Sequence, residues 1–121
     1  MEVRSDEECR RLAWALSQLL LAVARLALTP ELQRDYLRRS GVGDSADELG
    51  LELDDAAHQV GELEDAGWIT PERAAAVRRI DGMLSAMSDA PNAALWEPEA
   101  LSAAPEWAEV RAAAGEFLLS P

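Results

Sequence analysis

The sequence predicts an all-α fold, a single-domain bundle of about five or six helices, antiparallel where the connecting loops are short. Three observations lead there. Apolar residues recur at three- and four-residue spacing along most of the chain. No stretch shows sustained apolar–polar alternation, and Val, Ile and Thr are few. Helix-start chemistry recurs, as Ser-x-x-Glu and as Thr-Pro-Glu. The 121 residues suit one domain covering 1–121. A chain near this size buries roughly two-thirds of its unfolded surface, enough for a core without staples.

Ser5-Asp6-Glu7-Glu8 is a capping box, in which hydroxyl and carboxylate each satisfy an end amide. The first helix should run from about Asp6 to Leu28. Its stripe is Leu12, Leu16, Leu19, Val23 and Leu26, widened by Trp14, Leu20, Leu21, Ala24 and Leu28. A helix apolar on most of its circumference is one that others pack around. The run Leu12 to Leu28 is short for a membrane crossing and contains Ser17, Gln18 and Arg25. The mixed charge before it is unlike a signal-peptide n-region.

Thr29-Pro30-Glu31 starts a second helix, to about Arg39, with Leu32, Tyr36 and Leu37 as its apolar contacts and Gly41 as its stop. Gly41 to Asp47 reads as a loop. Ser45 and Glu48 form a second capping box, and Leu53, Ala57, Val60 and Leu63 carry a helical stripe to Gly67, although Gly50 weakens the reading over 49–53. Trp68 and Ile69 pack at a corner. Thr70-Pro71-Glu72 starts a helix through Val77, Ile80, Leu84 and Met87 to about Ser88. Asp89 to Leu95, with Pro91 and Asn92, reads as a loop. A short helix follows at Glu97 to Leu101. Ala104-Pro105-Glu106 starts the last helix, with Trp107, Val110, Ala114 and Phe117 on one face.

The composition limits function. There are 23 acids against 11 bases, a net charge of −12, and every base is Arg. That balance argues against nucleic acid and against anionic membranes as partners, because phosphate contacts need clustered positive charge. Arginine without lysine, with heavy alanine use, looks like a GC-rich bacterial genome. The one cysteine, Cys9, permits no internal disulfide and fits a reducing cytoplasm. Asp6, Glu7 and Glu8 beside it oppose a thiolate, so a nucleophilic role is not expected. No Gly-rich phosphate loop and no Gly-x-Ser-x-Gly occur.

The charge is located. Residues 1–40 are net +1, and residues 67–90 are neutral. Residues 41–66 hold nine acids and no base: Asp44, Asp47, Glu48, Glu52, Asp54, Asp55, Glu62, Glu64 and Asp65. The block reads either as a solvated helix face or as a surface for a basic partner, where charge raises association rates and rejects wrong partners. His58 is the only histidine, with Asp54, Asp55 and Glu62 within a helical turn. A local His–carboxylate pair is the expectation there, and no metal site, because zinc usually brings more N or S ligands. Glu52-x-x-Asp55 and Glu62-x-x-Asp65 also match half of the carboxylate motif of magnesium-dependent all-α nucleotide pyrophosphohydrolases. Glu106-x-x-Glu109 matches the other half in the wrong chain order, and no Lys is available for phosphates. Trp68, Trp96 and Trp107 lie at helix ends or corners, as core anchors. Trp96, in a loop, is the one expected to be partly exposed. A self-associating subunit built on the first helix is a further alternative.

Two stretches carry a resemblance: Asp47 to Ala56 (DELGLELDDA), and Leu95 to Leu101 continuing through Pro105-Glu106-Trp107-Ala108-Glu109-Val110-Arg111. Together they resemble small acidic actinobacterial proteins of the immunity type, which neutralise polymorphic toxin domains. The likeness spans residues 45 to 120 loosely. It implies a cytoplasmic inhibitor of a cognate, basic toxin domain, without catalysis, cofactor or metal. The residues expected to make contact are Asp47, Glu48, Glu52, Asp54 and Asp55 electrostatically, with Trp96 as an apolar anchor.

Overall fold

The computed structural model describes residues 5–41, 45–89 and 93–120. Among them there is no strand, and seven α-helices form: α1 (Asp6–Ala27), α2 (Pro30–Arg39), α3 (Asp47–Ala57), α4 (Val60–Asp65), α5 (Pro71–Asp89), α6 (Ala100–Ala103) and α7 (Pro105–Leu119). A 3-10 turn, Ala93–Trp96, precedes α6, where the sequence suggested loop. Asp44, Pro91 and Asn92 lie outside the described residues.

The long helices close a ring. α1 packs against α3 and α7, and α5 packs against the same two. The short helices α2, α4 and α6 fill its margins. Trp107 and Phe117 of α7 meet Leu12, Leu19, Val23 and Leu26 of α1, Leu49 and Leu53 of α3, and Val77, Ile80 and Leu84 of α5 in one buried apolar cluster. Burying each such Leu, Val or Ile contributes about 1.5–3 kcal/mol. No helix among the described residues is long and apolar enough to cross a membrane.

Local chemistry accounts for the helix ends. Ser5 Oγ accepts from the Glu8 N–H at 3.1 Å, Thr29 Oγ1 from Leu32 at 3.4 Å, and Thr70 Oγ1 from Arg73 at 3.1 Å. Gly67, at φ +79°, stops α4. Its N–H donates to the Glu64 carbonyl at 3.0 Å and the Trp68 N–H to Leu63 at 2.9 Å, the paired bonds of a Schellman end. Ser45 does not form the expected capping box with Glu48. Its hydroxyl accepts from Asp47, and Ala46 is the residue at the helix start.

The helix count exceeds the expectation because the acidic stretch divides. Residues 49–53 are helical, but the helix breaks at His58 and Gln59. His58 Nδ1 lies 2.7 Å from the Asp54 carbonyl oxygen, the acceptor that a continuing helix would pair with the His58 N–H. A carbonyl only accepts, so Nδ1 carries the hydrogen.

Two helix faces also differ from expectation. In α1, Ala15 and Ala22 join the core, while Trp14 and Leu21 point outward, 65% and 45% exposed. A ring position leaves every helix one solvent side. In α2, Leu32 is exposed and Gln33 is fully buried. Gln33 Nε2 donates to the carbonyls of Arg25 and Leu26, each at 3.1 Å, near the end of α1. Its Oε1 accepts from Arg111 Nη2 at 3.2 Å. Arg111 also donates to the carbonyls of Leu28 (3.0 Å) and Leu101 (2.8 Å). This side chain ties α7 to the ends of α1 and α6, where helix dipoles favour a cation. Burial lowers the Arg111 pKa from its ordinary value.

Candidate functional site

The acids of α3 are exposed or partly buried, but they do not share one face. The helix carries three stripes at three- and four-residue spacing. Leu49, Leu53 and Ala56 point into the core. Glu52 and Asp55, with Gln59 beyond the helix end, line a groove with Trp14, Gln18 and Arg25 of α1. Asp47, Gly50, Leu51 and Asp54 line a second groove with Asp81, Leu84, Ser85 and Ser88 of α5 and with Trp96.

On the α1 flank, Glu52 is already engaged. Arg25 Nη1 lies 3.4 Å from its Oε1, and the Tyr36 hydroxyl donates to its Oε2. The Arg25 guanidinium stacks 4.5 Å over the Tyr36 ring. Burial first, then the hydrogen bond to Glu52 and its charge, raise the Tyr36 pKa to about 12. Glu48 is partly buried, and its charge also acts on Tyr36. Glu52 is therefore a tie between α1, α2 and α3. Asp55 is exposed.

The α5 flank is different. Asp54 and Asp81 face one another across the groove. Burial raises the Asp81 pKa, the Asp54 carboxylate beside it raises it further, and His58 acts in the opposite direction. Among the described residues no arginine forms an ion pair with Asp47, Asp54, Asp55 or Asp81. Other acids do have such partners: Glu62 with Arg11 at 2.6 Å, Glu64 with Arg78 at 3.3 Å, Glu116 with Arg79 at 3.7 Å, and Asp35 with Arg39 at 3.0 Å.

Trp96 stands at the end of the α3–α5 groove and is partly buried. Its ring meets Trp107 edge to face, centroids 5.5 Å apart at 89°. The Trp107 indole N–H donates to the Leu95 carbonyl at 2.7 Å. A Cβ added to Gly50 would lie 3.2 Å from the Trp96 ring, so the glycine leaves room for the indole to approach α3. The most exposed Trp among the described residues is Trp14, which the sequence assigned to the apolar face of its helix.

His58 has a backbone carbonyl as its close partner rather than the expected carboxylate. Among the described residues no three His, Cys, Asp or Glu side chains gather as a metal ion would require. Glu52, Asp55, Glu62 and Asp65, which magnesium-dependent phosphate chemistry would need together, are not so gathered. Asp81 was not singled out from sequence. Its only local signal is an acid in a charge-balanced helix, and its meeting with Asp54 is tertiary. Compared with protein-family models, with curated proteins and with solved structures, the chain finds no match.

Proposed function

We propose that this protein is an acidic binding module that acts in the cytoplasm as an immunity-type inhibitor, occupying a basic surface of a cognate toxin domain without catalysis. The observation that carries the reading is the set of α3 acids without arginine partners. Asp47, Asp54 and Asp55 are exposed together on one short helix with no arginine partner, whereas Glu62, Glu64 and Glu116 each pair with an arginine. Unmatched like charge weakens the folded state. A basic partner relieves it and is drawn in faster by it. The net charge of −12 acts in the same direction at longer range. Of the sequence-assigned contacts, Asp47, Glu48, Asp54 and Asp55 remain as electrostatic contacts, and Glu52 holds the helix that presents them.

The test is association kinetics. A partner is recovered from the native host with the wild-type chain as bait. Its binding is then followed by stopped flow for wild type and for a chain carrying Asp47→Asn, Glu48→Gln, Asp54→Asn and Asp55→Asn. The variant should bind about tenfold more slowly or worse, and high salt should slow wild type towards the same rate. Association rates unchanged by both substitution and salt would refute the reading.

A further inference from the structure

Grooves flank the ring helices on several sides, and they differ in how their charge is met. Of two grooves between α5 and α7, one carries Glu72 and Glu116 with Arg73 and Arg79, a balanced set, and the other has Glu106 and Glu109 beside Met83, Met87 and Val110, without an aromatic ring in its lining. The groove between α1 and α3 has Arg25 against Glu52, with Asp55 left over. The groove between α3 and α5, about 400 Å³ in volume, contains no base among its lining residues. Its floor is apolar: the buried Leu84 and the partly buried Trp96 ring, with Leu51 on the lip, 58% exposed. Around that floor stand Asp47, Asp54 and Asp81.

We propose that the α3–α5 groove is the docking site for an arginine-bearing amphipathic segment of a basic protein partner. The inference rests on the binding-module reading above and narrows it to one groove and one type of side chain. An apolar floor inside an acidic rim fits a segment with apolar residues on one side and cations beside them. Leu51 offers a large apolar surface to such a segment. Arginine fits better than lysine for a geometric reason. Its planar guanidinium stacks on an indole face and presents forked donors to carboxylates, and it sheds water more readily than an ammonium. Between Asp54 and Asp81 it would meet two carboxylates that no arginine of this chain pairs with among the described residues. A polyanion would meet only repulsion there.

The probe is a short blocked peptide alternating arginine and leucine, titrated into ¹⁵N-labelled protein at low salt. The four tryptophans give separate indole N–H signals, so the groove can be read directly. The Trp96 indole and the amides of Gly50, Asp81 and Ser85 should shift saturably. The double substitution Asp54→Asn with Asp81→Asn should weaken binding about tenfold, and Glu72→Gln, in the α5–α7 groove, by less than about twofold. Exchanging arginine for lysine in the peptide should weaken binding several-fold. A well-dispersed spectrum of each variant establishes that it is folded. Shifts centred on Trp14 and Gln59, equal weakening by Glu72→Gln, or equal affinity for the lysine peptide would overturn the assignment and leave the acidic-module reading standing. Absence of any shift also overturns it. The module reading then stands or falls on the salt-dependent association rate of the native partner.

Discussion

Asp81 is held against its own chemistry. It faces Asp54 and His58 of the α3 segment, with Asp47 in the same groove, and its pKa is raised by burial and by the Asp54 charge. The folded state therefore holds a proton that the unfolded chain releases at lower pH. The resulting penalty is absent below the ordinary carboxylate value of 3.8 and grows as pH rises through the raised value. Asp81→Asn should accordingly stabilise the protein at pH 7, and the gain should vanish below the ordinary carboxylate value. Denaturant titrations of both chains at the two pH values measure this. A gain that persists at low pH would assign it to packing instead. Arg111 and Gln33 show the opposite economy. Gln33 is buried and Arg111 partly buried, and each side chain bonds to polar partners at helix ends. The sequence marked neither, because a helix-ending role for a distant side chain leaves no local pattern.

Among the helices, α3 and α5 show how local preference and packing divide the work. Both carry an internal glycine. A Cβ at Gly82 of α5 would touch nothing, whereas one at Gly50 of α3 would press on Trp96 at 3.2 Å. Glycine inside a helix is about 0.8–1 kcal/mol less favourable than alanine. Gly82→Ala should therefore raise stability by close to that amount, and the melting temperature by roughly 3–5 °C. Gly50→Ala should gain clearly less, because the Trp96 ring has to shift and its edge-to-face contact with Trp107 resists. Calorimetry on the two variants separates propensity from packing, and equal gains would show that Trp96 yields freely. The element starts were legible beforehand: Ser5, Thr29 and Thr70 cap as their sequences suggest. The break at His58 was not, since it depends on which acceptor the imidazole takes.

Across the molecule the excess negative charge outweighs the ion pairs. The pairs with both side chains largely exposed, such as Arg11–Glu62 and Arg79–Glu116, are worth about 0–1 kcal/mol each. Against them stand 23 acids and 11 bases in one small fold. Salt screens both effects, and the repulsion is the larger. The melting temperature should rise by at least about 2 °C between roughly 20 mM and 500 mM sodium chloride. A fall over that range would mean that the ion pairs dominate. The same salt that steadies the free protein should slow its partner's association, so stability and binding rate move in opposite directions.

Composition, periodicity and capping residues were enough to establish an all-helical chain, the helix starts at Ser5, Thr29 and Thr70, and core positions such as Leu12, Leu19, Leu53, Val77 and Phe117. These are consequences of near neighbours: caps act within a turn, and a 3.6-residue period is visible in any window. The concentration of acids in residues 41–66 was equally legible. Which acids are matched was settled only by the fold. The ring of α1, α3, α5 and α7 sets how each helix is rotated about its axis. That rotation put Gln33 inside and Leu32 and Trp14 outside, sent Glu52 to Arg25 and Tyr36, and brought Asp54 against Asp81. Rotation is a property of pairs of helices, since each turns until its neighbours' ridges and polar groups are met, and a single strand of sequence does not contain the pair.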